Sequence, residues 1–211
     1  MKELIKKELN KFSLEPSLID NFIESVSEGL NQNGIEIWIN TIKSFSNSQT
    51  SRIIIKNIIE ETPAILRSIP QSQYLEWVKQ CYRISEVSED LSITYVNATT
   101  GVIENLKPRH LLDWGNIGLS LYRSSKNSTS LVNNFFKYSP SLCLKLNYEE
   151  LEILNDTLRR ISTRSISFSI KILDWVLKIS SIAPNDLTSW NRVINLVSKK
   201  LIKDFEEIFT I

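Results

Sequence analysis

An all-α chain built as an α-solenoid of stacked antiparallel helix pairs is the fold this sequence predicts, and three observations predict it. Apolar residues recur at steps of three and four along nearly the whole length, as in Leu18, Ile19, Phe22, Ile23, Val26 and Leu30, or in Leu151, Leu154, Leu158 and Ile161. Only 5 glycines occur in 211 residues, which leaves little material for tight hairpins or phosphate-cradling loops. A large apolar anchor also returns on a steady beat: Trp38, Trp77, Trp114, Leu154 and Trp190 follow one another at 39, 37, 40 and 36 residues. Each has an apolar partner eight positions earlier, namely Leu30, Ile69, Leu106, Leu146 and Ile182. A period of about 38 residues is that of HEAT- or TPR-like helical repeats, in which a lone helix pair cannot bury its apolar face and stacking supplies the core.

Taken in order, helices are expected over about 3–12, 16–31, 35–46, 50–61, 71–85, 89–98, 108–123, 127–138, 147–162, 165–180 and 185–208. Strand-like runs such as Ile53-Ile54-Ile55 lie inside longer helix-period segments, so β-branching does not decide them. Pro70, Pro108 and Pro184 stand near helix starts, where a missing N–H costs nothing. Asn147 followed by Glu150 has the form of a cap with a carboxylate at the third helical position. Thr62-Pro63, Thr100-Gly101 and Ser139-Pro140 read as helix stops, each followed by a short apolar turn such as Ile65 to Ile69 and then by the anchor-bearing helix. In this register Phe135 lies in the core, whereas Phe136 aligns with Asn97 and faces a neighbouring unit or a partner. The whole chain, 1–211, reads as a single helical-repeat domain with units anchored near 38, 77, 114, 154 and 190.

Composition narrows the functional classes. With 25 basic and 24 acidic side chains the net charge is +1, which supplies no overall drive toward nucleic acid. Cys81 and Cys143 are far apart, fit no CxxC spacing and sit among apolar residues, so they read as structural thiols. Residues 1–12 alternate charge with apolar side chains and lack the continuous apolar run of a signal peptide. The most apolar windows, 52–66 and 165–182, are broken by Lys and acidic residues, so no membrane span is expected. The acceptor patterns at Asn97 and Asn127 are then chance matches, and the expected location is the cytoplasm. His110 is the only histidine; it reads as a surface residue and rules out a multi-histidine metal site. Glu60-Glu61, Glu149-Glu150 and Glu206-Glu207 are sequence neighbours that point apart on a helix, not acid/base pairs.

The segment from Leu112 to Leu146, continuing through Asn147-Tyr148-Glu149-Glu150-Leu151, carries Trp114 and Gly118 four apart, Phe135-Phe136, then Ser139-Pro140 leading to Leu142 and Leu146. In these features it resembles the helical repeat ahead of the von Willebrand A domain in NorD- and CbbO-like proteins, which assist MoxR-type AAA+ ATPases. The resemblance implies a free-standing helical-repeat module linked to such an ATPase system. Asp90-Leu91-Ser92-Ile93-Thr94 has the DxSxT form of a metal-ion-dependent adhesion site, but the preceding residues form no strand, so Ser88 or Asp90 is expected to cap the next helix. Asp113 beside Trp114 suggests an alternative, a nucleic-acid-binding enzyme of the helical-repeat DNA glycosylase kind, which would require a basic face. The densest basic group, Arg159, Arg160 and Arg164, is the candidate contact for an acidic partner segment. The reading is a non-enzymatic protein-interaction scaffold with no catalytic residue, cofactor, metal or small-molecule substrate inferred, whose partner is another protein.

Overall fold

The computed structural model describes residues 2–45 and 48–200. Among the described residues there is no strand, and eleven α-helices follow one another: α1 (Lys2–Leu9), α2 (Pro16–Gly29), α3 (Gln32–Ser44), α4 (Gln49–Ser68), α5 (Gln71–Val87), α6 (Glu89–Ile103), α7 (Leu111–Ser124), α8 (Thr129–Cys143), α9 (Tyr148–Ser162), α10 (Ile166–Ile182) and α11 (Leu187–Lys200). Two single 3₁₀ turns, Asn10–Phe12 and Pro108–His110, join α1 to α2 and lead into α7. No helix of the described residues is long and apolar enough to cross a membrane. The chain divides into two compact units, Met1–Leu112 and Asp113–Ile211.

Short polar residues set where most helices begin. The side chains of Asn31, Ser48, Ser88, Ser128, Asn147 and Ser165 each accept a hydrogen bond from the backbone N–H three residues on. Each such cap satisfies one orphan donor and contributes about 1 kcal/mol. The expected Asn147 cap is formed, at 3.0 Å to the Glu150 N–H. Ser88 is likewise the cap of α6, and the adhesion-site look-alike is a helix start: Ser92 donates to the Cys81 carbonyl and Thr94 to the Asp90 carbonyl.

The expected stops do not stop the helices. Pro63 and Pro140 lie inside α4 and α8, and Gly101 inside α6. An interior proline costs about 3 kcal/mol, but Ile65 and Leu142, just beyond the two prolines, are fully buried, and each buried aliphatic side chain returns about 1.5–3 kcal/mol. The hydroxyl before each proline also donates to the carbonyl four residues back, Thr62 to Ile58 and Ser139 to Phe135. α4 ends instead where Ile69, extended at φ −134°, precedes Pro70.

In the first unit α1 packs on α2 and α3, α3 on α5, α2 on α4 and α4 on α6, so each helix meets the helix after next, while α5 also meets α6. Trp77 of α5 is fully buried and its indole N–H donates to Thr99 Oγ1 of α6 at 3.1 Å, while that hydroxyl donates to the Tyr95 carbonyl. Thr62 of α4 meets the Tyr74 hydroxyl at 2.8 Å, and burial pushes the Tyr74 phenol above its usual range against the opposing pull of Thr62 and Trp38. Thr99→Val keeps the volume but strips the Trp77 N–H of its acceptor, and should cost about 1–2 kcal/mol in urea unfolding. A variant as stable as the parent would show that the bond contributes nothing.

In the second unit α8 packs on α10 and α9 on both α10 and α11. The Trp114 indole N–H of α7 donates to Ser139 Oγ of α8 at 2.9 Å, and the Trp114 ring meets Phe136 edge-on at 5.2 Å. Phe135 and Phe136 are both fully buried, which corrects the expectation that Phe136 faces outward. The hydroxyl bonded to Trp77 is Thr99, not Thr100, so an alignment counted from the bonded hydroxyl shifts by one residue from the expected one. Phe136 then aligns with Val96 and Ile59, both buried, instead of with Asn97.

Trp38, Trp77, Trp114 and Leu154 are fully buried, and Leu30, Ile69, Leu106 and Leu146 are at most 6% exposed. The fifth pair departs: Trp190 is 49% and Ile182 83% exposed, while Leu187 is buried.

Candidate functional site

An open cleft of about 570 Å³, lined by polar and apolar groups alike, lies between α7 and α9 in the second unit. α7 contributes Asp113, Asn116, Ile117 and Ser120; α9 contributes Tyr148, Glu149, Glu152, Ile153, Asn155, Asp156 and Arg159. Asp113, Glu149, Glu152 and Asp156 thus share the lining with Arg159, and Asp156 is also paired with Arg160 at 3.5 Å. Glu149, Glu152 and Asp156 fall on one helical face at i, i+3 and i+7, a spacing visible in the sequence but distinct from the adjacent acid pairs. Tyr148 donates to Glu152 at 2.8 Å. Burial, the bond to Glu152 and the nearby charges of Asp113 and Glu149 together push its phenol above the usual range. Asn155 is 7% exposed, lines the cleft, and its Oδ1 has no hydrogen-bond partner. An amide carbonyl buried without a donor costs about 1–3 kcal/mol. Among the described residues no three acidic, Cys or His side chains are grouped as a metal ion would require.

Glu150, next to the cleft residue Glu149, turns the other way as its helical position demands. Its carboxylate is buried and accepts from Asn191 Nδ2 at 3.3 Å and from Arg192 Nη2 at 2.6 Å, tying α9 to α11. The three candidate arginines have different settings. Arg159 is exposed at the cleft, Arg160 is half-buried and donates to Ser198 at 3.2 Å and Asp156 at 3.5 Å, and Arg164 is exposed beyond the end of α9.

A second depression of about 460 Å³ separates α10 from α11 and is lined by Ile172, Trp175, Ile179, Trp190, Val193, Ile194 and Val197, with Lys178 the one charged residue. Trp114 presents no face to a ligand, since it is fully buried and bonded to Ser139. His110 is half-buried and accepts from Arg109 Nε at 3.0 Å. Cys81 and Cys143 are buried free thiols. Burial pushes the Cys143 thiol up to about 12 and that of Cys81 well above its usual value. The thiolate is the reactive form, so Ellman's reagent at pH 8 should leave both thiols of the native chain unmodified on the minute scale and titrate both in urea. Prompt native labelling would place a thiol at the surface.

No family model, no curated protein and no solved structure matches this chain.

Proposed function

We propose that the chain is an α-solenoid of stacked helix pairs that serves in the cytoplasm as a non-enzymatic scaffold for another protein. One observation carries this reading: side-chain hydrogen bonds between four pairs of alternate helices, α3 with α5, α4 with α6, α8 with α10 and α9 with α11, recur at close to the repeat's period. Asn31 N–H donates to Gln71, 40 residues on, Asn57 to Asn97, 40 on, and Thr100 to Glu61, 39 back. In the second unit Tyr138 donates to Asp174 across 36 residues, Asn195 to Thr157 across 38 and Arg192 to Glu150 across 42. Bonds that repeat with the spacing of the anchors are what neighbour-on-neighbour stacking of one unit produces. Stacked helices also leave long side-by-side helix faces, and such extended surfaces suit the binding of another chain.

The resemblance of residues 112–151 to the region ahead of the von Willebrand A domain in NorD- and CbbO-like proteins adds a MoxR-type AAA+ ATPase system as the setting. The test is sedimentation velocity of the full chain with a purified MoxR-type ATPase of its own organism, alongside quantitative affinity capture from that organism. A saturable complex of fixed stoichiometry with a protein is the expected result. A chain that sediments alone at every concentration and retains no protein stoichiometrically overturns the scaffold reading.

A further inference from the structure

We infer that the apolar groove between α10 and α11 is a docking site for this chain's own residues 201–211, which lie outside the described residues. The inference goes beyond the scaffold reading, since it concerns how the chain covers its own surface. Trp190, Val193 and Leu196 are about half exposed on α11, Ile182 is more so at the end of α10, and the groove between the two helices holds Lys178 as its one charged lining residue. Apolar side chains gathered openly in this way mark a surface that another element covers. Packing within the units indicates which element. In the first unit α4 is met by α2 before it and α6 after it. In the second, α10 has its earlier neighbour α8, and the later place falls to whatever follows α11.

The sequence that follows α11 fits that place in spacing, length and charge. Phe205, Ile208 and Phe209 recur at i, i+3 and i+4, the pattern of a helix that lays one apolar face in a groove. Asp204 followed by Glu207 has the form of a helix cap with a carboxylate at the third helical position, which puts the chain reversal at 201–203. The groove follows α11 from Trp190 to Val197, about 10 Å of helix axis, and residues 205–211 wound as a helix span about the same length. Residues 203–207 carry one basic and three acidic side chains, a net charge opposite to that of Lys178. A second copy of the same groove has no carboxylate in its lining to offer Lys178, so charge favours the segment over self-association through this face.

Two cysteine pairs in the full chain test this, Val193→Cys/Phe209→Cys and Val193→Cys/Thr210→Cys, oxidised with copper phenanthroline at low protein concentration and read on non-reducing gels. The native thiols are buried, and the two pairs differ by one residue of tether but by about 100° in side-chain direction on a helix. An intrachain disulfide should form at least about tenfold faster with Phe209→Cys, because the bond needs facing Cβ vectors and Cα atoms within about 7 Å. Equal rates, as a loose tether gives, or no intrachain disulfide from either pair, as a straight continuation of α11 gives, overturn the assignment. A disulfide between two chains, with a dimer of the parent in sedimentation velocity, overturns it in favour of a second copy. Phe205→Ser/Phe209→Ser supplies a readout without new thiols. Trp38, Trp77 and Trp114 are fully buried, so stronger acrylamide quenching and increased binding of a hydrophobic dye, at unchanged helical circular dichroism, are expected from uncovering the groove. Quenching and dye binding equal to those of the parent overturn the assignment and leave the groove to a partner protein.

Discussion

Phe135→Ala and Phe136→Ala should each destabilise the chain by about 3–5 kcal/mol, with indistinguishable midpoints in urea. Both rings are fully buried and meet one another at 5.8 Å between centroids, and Phe136 also meets Trp114 at 5.2 Å. Truncating either leaves a cavity between α7 and α8 that buried, close-packed neighbours fill only in part. The aromatic pairs are worth about 0.5–1.5 kcal/mol beyond the area they bury. Because the two rings touch, the double variant should lose less than the sum of the singles. A loss at Phe136 clearly smaller than at Phe135 would restore the outward-facing position that the sequence spacing assigned to it.

That spacing was nearly sufficient. Helix-period apolar residues and the polar caps Ser88 and Asn147 locate most helix starts to within a few residues, because caps and periodicity are local properties. The prolines misled for a nonlocal reason: the local penalty at Pro63 and Pro140 is offset in large part by burying Ile65 and Leu142, which only the packed structure reveals. The one-residue slip at Thr99 and Thr100 arises from two adjacent hydroxyls, of which Thr99 meets the Trp77 indole and Thr100 meets Glu61 on the helix two earlier. The cleft was hidden differently. Asp113 and Glu149 lie on helices far apart in sequence, and each is an ordinary surface carboxylate until α7 and α9 stand side by side. The exposure of Trp190 was equally out of reach, since the helical spacing that buries Trp38, Trp77 and Trp114 cannot say that nothing described covers the fifth anchor.

Gly118→Ala should destabilise by about 2–3 kcal/mol, although alanine is favoured over glycine in a helix by about 1 kcal/mol. A Cβ at Gly118 would lie 2.1 Å from Phe136 Cζ and 2.4 Å from Cε1, well inside van der Waals contact, and that ring is fully enclosed. The approach of Phe136 to Gly118 makes a sharper test than the single variant. Gly118→Ala placed on Phe136→Leu should cost little or nothing, because the smaller side chain vacates the space that the new methyl group needs, and the helix preference of alanine is then recovered. A double-mutant cycle read by urea unfolding should therefore give a favourable coupling of about 2 kcal/mol between the two substitutions. Simple additivity would mean that Gly118 is held by something other than the ring of Phe136.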